Sequence, residues 1–347
     1  TLHIEAPPTL VLTRAEIAAL MTLGDYRAAA DEAFQAQAEG RAFAPAPLHI
    51  PVENGGFHAK GARVRAARGD YTAVKLNGNF PGNPKHNGLP TIQGAIILSD
   101  AANGCLLAIM DSIEVTLRRT AAASALAAHY LARDGAATLT ICGAGDQGRA
   151  QLEALAHELK LAHVVVWDIN RRASSAFAED MATKVRAKIE PVDDLAPATR
   201  RSDVIVTCTT AREPFLDVDH VRPGTFIAAV GADSHDKSEL TPALMARGKV
   251  VVDVLDQCLA IGDLHHAVKA GAMSAIDVHA TLAQVVCGQA KGRGNADDIT
   301  IFDSTGTAIQ DVAAAVRIHE RAKIRRAGLV RHFGERPSKE MNHALTD

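Results

Sequence analysis

The chain has 347 residues, 47% hydrophobic and 22% charged, the composition of an ordinary globular protein long enough for two domains and a large core. A net charge of −3 provides no basic surface for nucleic acid or anionic lipid, and no apolar run approaches the eighteen residues of a membrane helix. Five scattered cysteines without a CxxC pair, no signal-like start, and fifteen histidines without a ligand-spaced pair on a helix face predict a cytoplasmic protein with free thiols and no metal site.

Residues 1–9 hold two prolines and read as an extended arm. Thr13 and Glu16 form a capping box for a short helix, and a second helix runs from about Asp25 to Gly40. The segments APAPLHIPVENGGFHAKGARV, YTAVKLNGNF, TIQGAIILSD and CLLAIMDS are short strands separated by turns, with a hairpin signal at Asn103-Gly104, and predict an antiparallel or mixed sheet. Residues 116–131 change to an alanine-rich helix whose small side chains suit close packing between a first and a second domain. Strands near 139–142, 164–167, 187–190, 203–210, 225–233 and 250–255 then alternate with helical patterns, which predicts a parallel, doubly wound sheet. TIFDSTGTAIQD (300–311) adds a strand and a turn before a helix from Asp311, and the charged stretch after Phe333 reads as a loose tail or partner-wrapping arm.

Within this rhythm, residues 137–172 read as strand, glycine turn, helix and second strand ending in an acid. The loop Gly143-Ala144-Gly145-Asp146-Gln147-Gly148 is a GxGxxG motif directly after a strand: Gly143 for the tight turn, Gly145 for approach of a pyrophosphate, Gly148 for packing of helix on strand. Phosphates would lie on the free N–H groups at the helix start. Asp168, twenty residues after Gly148, is placed to accept both ribose hydroxyls of NAD(H). Arg171 and Arg172 keep NADP(H) open, as holders of a 2′-phosphate or simply as solvated charges.

Ligands of such sheets lie beyond the carboxyl ends of the strands, in TCTTAREP, GADSHDKSEL and FDSTG. Thr207, Cys208, Thr209 and Val230 fall at that rim, and Ser304 and Gly306 are candidates for close approach to a nicotinamide; each is equally a turn residue. Asp233 is either a proton donor and acceptor or a cap for the following helical segment. Lys75, inside an apolar strand, and Arg119, opening the alanine-rich helix, together suit a substrate carboxylate, although such a lysine more often faces outward.

VKLNGN around Lys75, LRRTAAASALAA from Leu117, ICGAGDQG, VIVTCTT, GADSHDKSEL and ITIFDSTGTAIQD together resemble the ornithine cyclodeaminase and μ-crystallin family, in order across residues 70–312. The resemblance implies a Rossmann domain (120–312) inserted into an α+β substrate and dimerisation domain (1–119 plus 313–347), acting as a homodimer. It implies Lys75 and Arg119 as catalytic-site binders of the substrate carboxylate, Thr120 near the cofactor, and Asp233 as acid/base. Pro47 stands where cyclodeaminases carry an arginine and His58 where they carry a glutamate, with Lys60 nearby; His58 and Lys60 thereby become substrate-binding candidates. The implied activity is NAD(P)H-dependent reduction of small cyclic or acyclic α-imino acids. Ornithine cyclodeaminase, alanine dehydrogenase and a non-catalytic ligand carrier like μ-crystallin are the alternatives.

Overall fold

The structure is a computed structural model that describes residues 7–333. Its first half contains β1 (Thr9–Leu12), α1 (Arg14–Leu20), α2 (Leu23–Ala38), β2 (Ala42–Phe43), β3 (Leu48–Val52), β4 (Gly55–Ala66), β5 (Gly69–Asn79), α3 (Asn83–His86), β6 (Ile92–Asp100), β7 (Leu106–Asp111) and α4 (Ser112–Leu131). The Thr13 capping box is present as the sequence predicts, and a second one, Thr22 with Asp25, starts α2 two residues before Asp25. Thr9 opens a strand rather than closing an extended arm; residues 1–6 of that expected arm, and the expected tail after Phe333, lie outside the described residues. Gly104 takes φ +75° in the turn between β6 and β7, as a tight hairpin requires.

The second half contains β8 (Thr138–Cys142), α5 (Asp146–Glu158), β9 (His163–Trp167), α6 (Arg171–Met181), β10 (Lys188–Val192), α7 (Leu195–Thr199), β11 (Val204–Thr207), β12 (Phe226–Ala229), α8 (Pro242–Arg247), β13 (Lys249–Val252), α9 (Leu255–Ile261), α10 (Asp263–Lys269), β14 (Ala280–Thr281), α11 (Leu282–Val286), β15 (Thr300–Asp303), α12 (Ala308–Arg325) and β16 (Leu329–Arg331). Strands β8 to β15 form one parallel sheet in the order β10-β9-β8-β11-β12-β15-β13-β14. The order reverses between β8 and β11, and a doubly wound sheet opens its ligand crevice at that reversal. The strands β11, β12 and β13 stop earlier than their apolar runs: the Thr209 and Gly231 amides turn to the Glu239 carboxylate, and the Asp253 carboxylate accepts the Gly306 amide.

The other sheet is mixed, in the order β16-β1-β7-β6-β5-β4-β2, with β3 also on β4. Side chains alternate between its faces. Ala62, Val64, Ala73, Ile96, Leu98, Ala108 and Met110 point to a core completed by α2, α4 and α12. Leu48, Ile50, Val74, Leu76 and Ile97 stand on the opposite face and are exposed. Helix α4 packs on α2 and α12 of this layer and on α5, β12 and β15 of the other. Its alanines make that double contact possible: Ala121 and Ala125 meet Ala150 and Ala154 of α5 with only methyl groups between the backbones. It begins at Ser112, four residues before the predicted start, because the Asp111 carboxylate accepts the Ile113 and Glu114 amides at 3.0 Å.

No described helix is long and apolar enough to cross a membrane, and among the described residues no group of three His, Cys, Asp or Glu is placed to hold a metal. All five cysteines are free thiols.

Candidate active site

The glycine turn is built as its spacing demands. Gly143 sits at φ +109°, a region closed to most side chains, and a Cβ on Gly148 would lie 2.2 Å from the Gly143 carbonyl oxygen. A Cβ on Gly145 would meet nothing within 4 Å, so that residue faces open space. Gly145 is also the N-cap of α5, and no side chain caps the helix, which leaves its first N–H groups for an outside acceptor. The Gln147 amide nitrogen is buried there without a hydrogen-bond partner among the described residues. An anionic pyrophosphate fits this cradle. Asp168, at the end of β9, accepts the Ala144 amide and the Asn170 amide, both at 2.8 Å, so the acid also braces the turn. Arg171 pairs with Asp193 at 2.9 Å, and Arg172 is exposed on the first turn of α6.

Across the crevice the mixed sheet presents cations. Lys75 points inward, buried, against the ordinary expectation for a strand lysine. Its Nζ lies 2.8 Å from Asp311 Oδ2 and donates to Thr116 Oγ1 at 3.1 Å. Arg119 Nε donates to the other oxygen of Asp311 at 3.0 Å and Nη1 to Gln310 Oε1 at 3.2 Å. One carboxylate on α12 therefore serves a lysine from β5 and an arginine from α4. Lys60, directly opposite Lys75 in the ladder, donates to Gly306 O at 3.0 Å and Thr305 O at 3.4 Å.

Three cations thus gather around Asp311. Burial pushes the Lys75 ammonium down to about 7, Asp311 opposing and Arg119 adding to the fall. Burial and then Arg119 also lower Lys60. Burial alone would raise Asp311, but the Lys75 and Arg119 charges outweigh it and hold the carboxyl below its usual range. Gly306 makes room for the cluster: at φ +77°, a Cβ there would come within 2.6 Å of Arg119 Nη1.

Asp233 lies on the exposed loop after β12 and pairs with Lys237 at 2.6 Å. The helix that follows, α8, is capped by Thr241 instead, so the capping alternative for Asp233 falls away. The Asp233 charge acts on His58 and Lys60, opposing the fall of each. His58 stands opposite His49 of β3, their Nδ1 atoms 3.3 Å apart, and burial followed by the neighbouring His49 and Lys60 lowers it.

Several rim residues have other duties than the sequence suggests. The Thr209 hydroxyl and amide both donate to Glu239 Oε1, at 2.7 and 2.6 Å, and do not face the crevice. Thr207 is fully buried, Val230 is buried, and Cys208 donates from Sγ to Cys142 O at 3.3 Å, packed against Gly143. Ser304 is likewise turned inward: its hydroxyl donates to Asp253 Oδ2 at 3.2 Å, and the Gly306 amide donates to the same atom at 2.7 Å. Thr120 donates to Thr116 O within its own helix.

Asp311, Glu239 and His49 carry weight that the sequence reading does not assign. Glu239 is fully buried and takes a third bond from the Gly231 amide at 2.9 Å, joining the loops after β11 and β12. Burial pushes its carboxyl up to about 7, the nearby Asp263 adding to the rise. The signal for Asp311 was in view, within TAIQD, but as a helix-start acid.

The profile described as the Ornithine cyclodeaminase/mu-crystallin family matches residues 8–326. Among solved structures, an archaeal alanine dehydrogenase dimer with bound NAD superposes with a TM-score of 0.89 at 35% identity, over 94% of this chain and 100% of that one. Thermococcus litoralis Δ1-pyrroline-2-carboxylate reductase in complex with NADH and L-proline gives 0.88 at 34% identity over 92% and 99%. The iminosuccinate reductase of Paracoccus denitrificans in complex with NAD+ gives 0.87 at 33% identity over 93% and 99%. With the match covering nearly the whole chain and this crevice, the protein belongs to the ornithine cyclodeaminase/mu-crystallin family.

Proposed function

We propose that the protein is an NAD(H)-dependent reductase of α-imino acids, taking a cyclic ketimine such as Δ1-pyrroline-2-carboxylate or Δ1-piperideine-2-carboxylate, or a small acyclic imino acid, to the amino acid. The observation that carries this reading is the cluster of Lys60, Lys75 and Arg119 around the single carboxylate of Asp311, beside the open end of a dinucleotide-type sheet. A substrate carboxylate offsets part of that positive charge and is held where the donors already stand. NAD(H), when bound, supplies the hydride for the C=N carbon. Lys75 and Arg119 fix the substrate's orientation, and Asp233, on the facing loop, gives the nitrogen its proton. The reverse direction is an amino-acid dehydrogenase, the activity that names the archaeal relative.

Asp168 supports NAD(H), since a carboxylate repels a 2′-phosphate; Arg171 and Arg172 would serve NADP(H) in its absence. The site draws on 120–312 for the cofactor and on 1–119 plus 313–347 for the substrate, and the exposed apolar face with Leu48, Ile50, Val74, Leu76 and Ile97 suits pairing of two copies. The Lys60 cation beside His58 opposes the distal ammonium of a diamine, which disfavours ornithine. The test is absorbance at 340 nm with NADH or NADPH across a panel of imino acids. Asp233→Asn is expected to lose at least a hundredfold in kcat while binding NADH normally. Survival of activity, or ammonia release from ornithine without NADH consumption, overturns the assignment.

A further inference from the structure

We infer that the preferred substrate is a dicarboxylic α-imino acid, whose second carboxylate is read by the His49–His58 imidazole pair; this rests on the reductase reading above. The two residues are cross-strand partners, and the ladder places His58 one same-face rung beyond Lys60 and Asn77 one beyond Lys75. Alternate residues of a strand stand about 7 Å apart. A carboxylate held at the Lys75–Arg119 rung therefore leaves the other end of a four- or five-carbon backbone at the histidine rung.

The pair is seated rather than accidental. A Cβ on Gly56 would lie 2.8 Å from His49 Cε1, so a side chain there would displace the ring. The rings have centroids 4.4 Å apart, with the Nδ1 atoms facing each other at 3.3 Å. Only one of those two nitrogens can carry the proton between them. If the pair takes up one further proton, both Nε2 atoms become N–H donors. Two donors on one charged unit suit one carboxylate.

Charge balance points the same way. Lys60, Lys75, Arg119 and Lys237 face Asp311, Asp233 and the Asp253 carboxylate behind the Gly306 turn, which leaves one surplus cation. A substrate's first carboxylate neutralises that surplus. A second finds its counter-charge only in a proton on the imidazole pair, and His49, exposed at the outer edge, lets solvent supply it.

The experiment measures kcat/KM with NADH for iminosuccinate and 2-iminoglutarate, formed from the oxo acids and ammonia, against the imine of pyruvate and Δ1-pyrroline-2-carboxylate. The wild type is expected to favour a dicarboxylic substrate at least tenfold. His58→Gln and His49→Gln, measured separately, should each collapse that ratio about tenfold, chiefly through KM of the dicarboxylic substrate. Turnover that favours the monocarboxylic substrates, or a ratio unmoved in both variants, overturns the inference while leaving the reductase intact. No turnover with any imino acid overturns the reductase reading and this inference together.

Discussion

Carboxylate binding should weaken with rising pH, because Lys75 holds its charge against burial. In the free protein the ammonium is pushed down to about 7. A carboxylate placed beside it favours the charged form and returns it toward the ordinary lysine range. Below pH 7 the amine is already charged, and affinity is flat. Above it, binding must take up a proton, so affinity falls about tenfold per pH unit. Between pH 7 and 9 that amounts to about two orders of magnitude, or about 3 kcal/mol. Calorimetric titration of the NADH-loaded protein with pyruvate, in two buffers of different ionisation enthalpy, reads the proton count directly. At pH 8 it should approach one proton taken up. Lys75→Arg, whose guanidinium stays charged, should remove the slope. An affinity that is level from pH 7 to 9, or a proton released, refutes the reasoning.

Other consequences are equally accessible. Gly306→Ala should raise substrate KM more than tenfold, since φ +77° and the 2.6 Å approach to Arg119 Nη1 together force the guanidinium from its place; an unchanged KM would show that Arg119 does not hold the substrate. Glu239→Ala should cost about 3–5 kcal/mol in denaturant unfolding, because Thr209 and Gly231 lose their acceptor inside the protein. Glu239→Gln gives a pH signature. The folded carboxyl titrates at about 7 against 4.5 ordinarily, so the folded chain keeps a proton that the unfolded chain loses. The wild type should therefore lose stability relative to Glu239→Gln as pH rises from 4.5 to 7, by at most about 1.4 kcal/mol per pH unit. A constant difference between the two would place the titration elsewhere. Asp168→Ser should lower affinity for NADH and raise that for NADPH by fluorescence titration, with Arg171 and Arg172 newly able to meet a 2′-phosphate; a loss for both would show that bracing Ala144 is the residue's main role.

What was legible in the sequence is what depends on neighbours along the chain. The glycine turn, the acid at the end of β9, the three long helices and the parallel alternation all follow from local spacing, although α2, α4 and α12 each start two to four residues before the pattern puts them. Lys75 and Arg119 were identified as candidates, but the acid that binds them, 192 residues beyond Arg119, reads in isolation as an ordinary helix-start aspartate. Hydroxyl direction was not legible either. Thr209 and Ser304 sit on the rim as expected, yet each turns inward because a buried acid, Glu239 or Asp253, offers a stronger acceptor than water. His49 needed the register of β3 on β4 before it could be seen beside His58.

The placement of Asp311 has a consequence for how the molecule comes into being. Helix α12 lies near the end of the chain, and synthesis delivers it after both the strand with Lys75 and the helix with Arg119. Until it docks, those two cations face each other without their shared counter-ion, and the core face that α12 covers is open to water. The cation cluster and the last piece of the hydrophobic core are thus completed by one event. A chain truncated before residue 308 should accumulate as a cation-rich, incompletely covered species, with the parallel sheet already paired strand to strand and the ion-pair cluster at Asp311 still unformed.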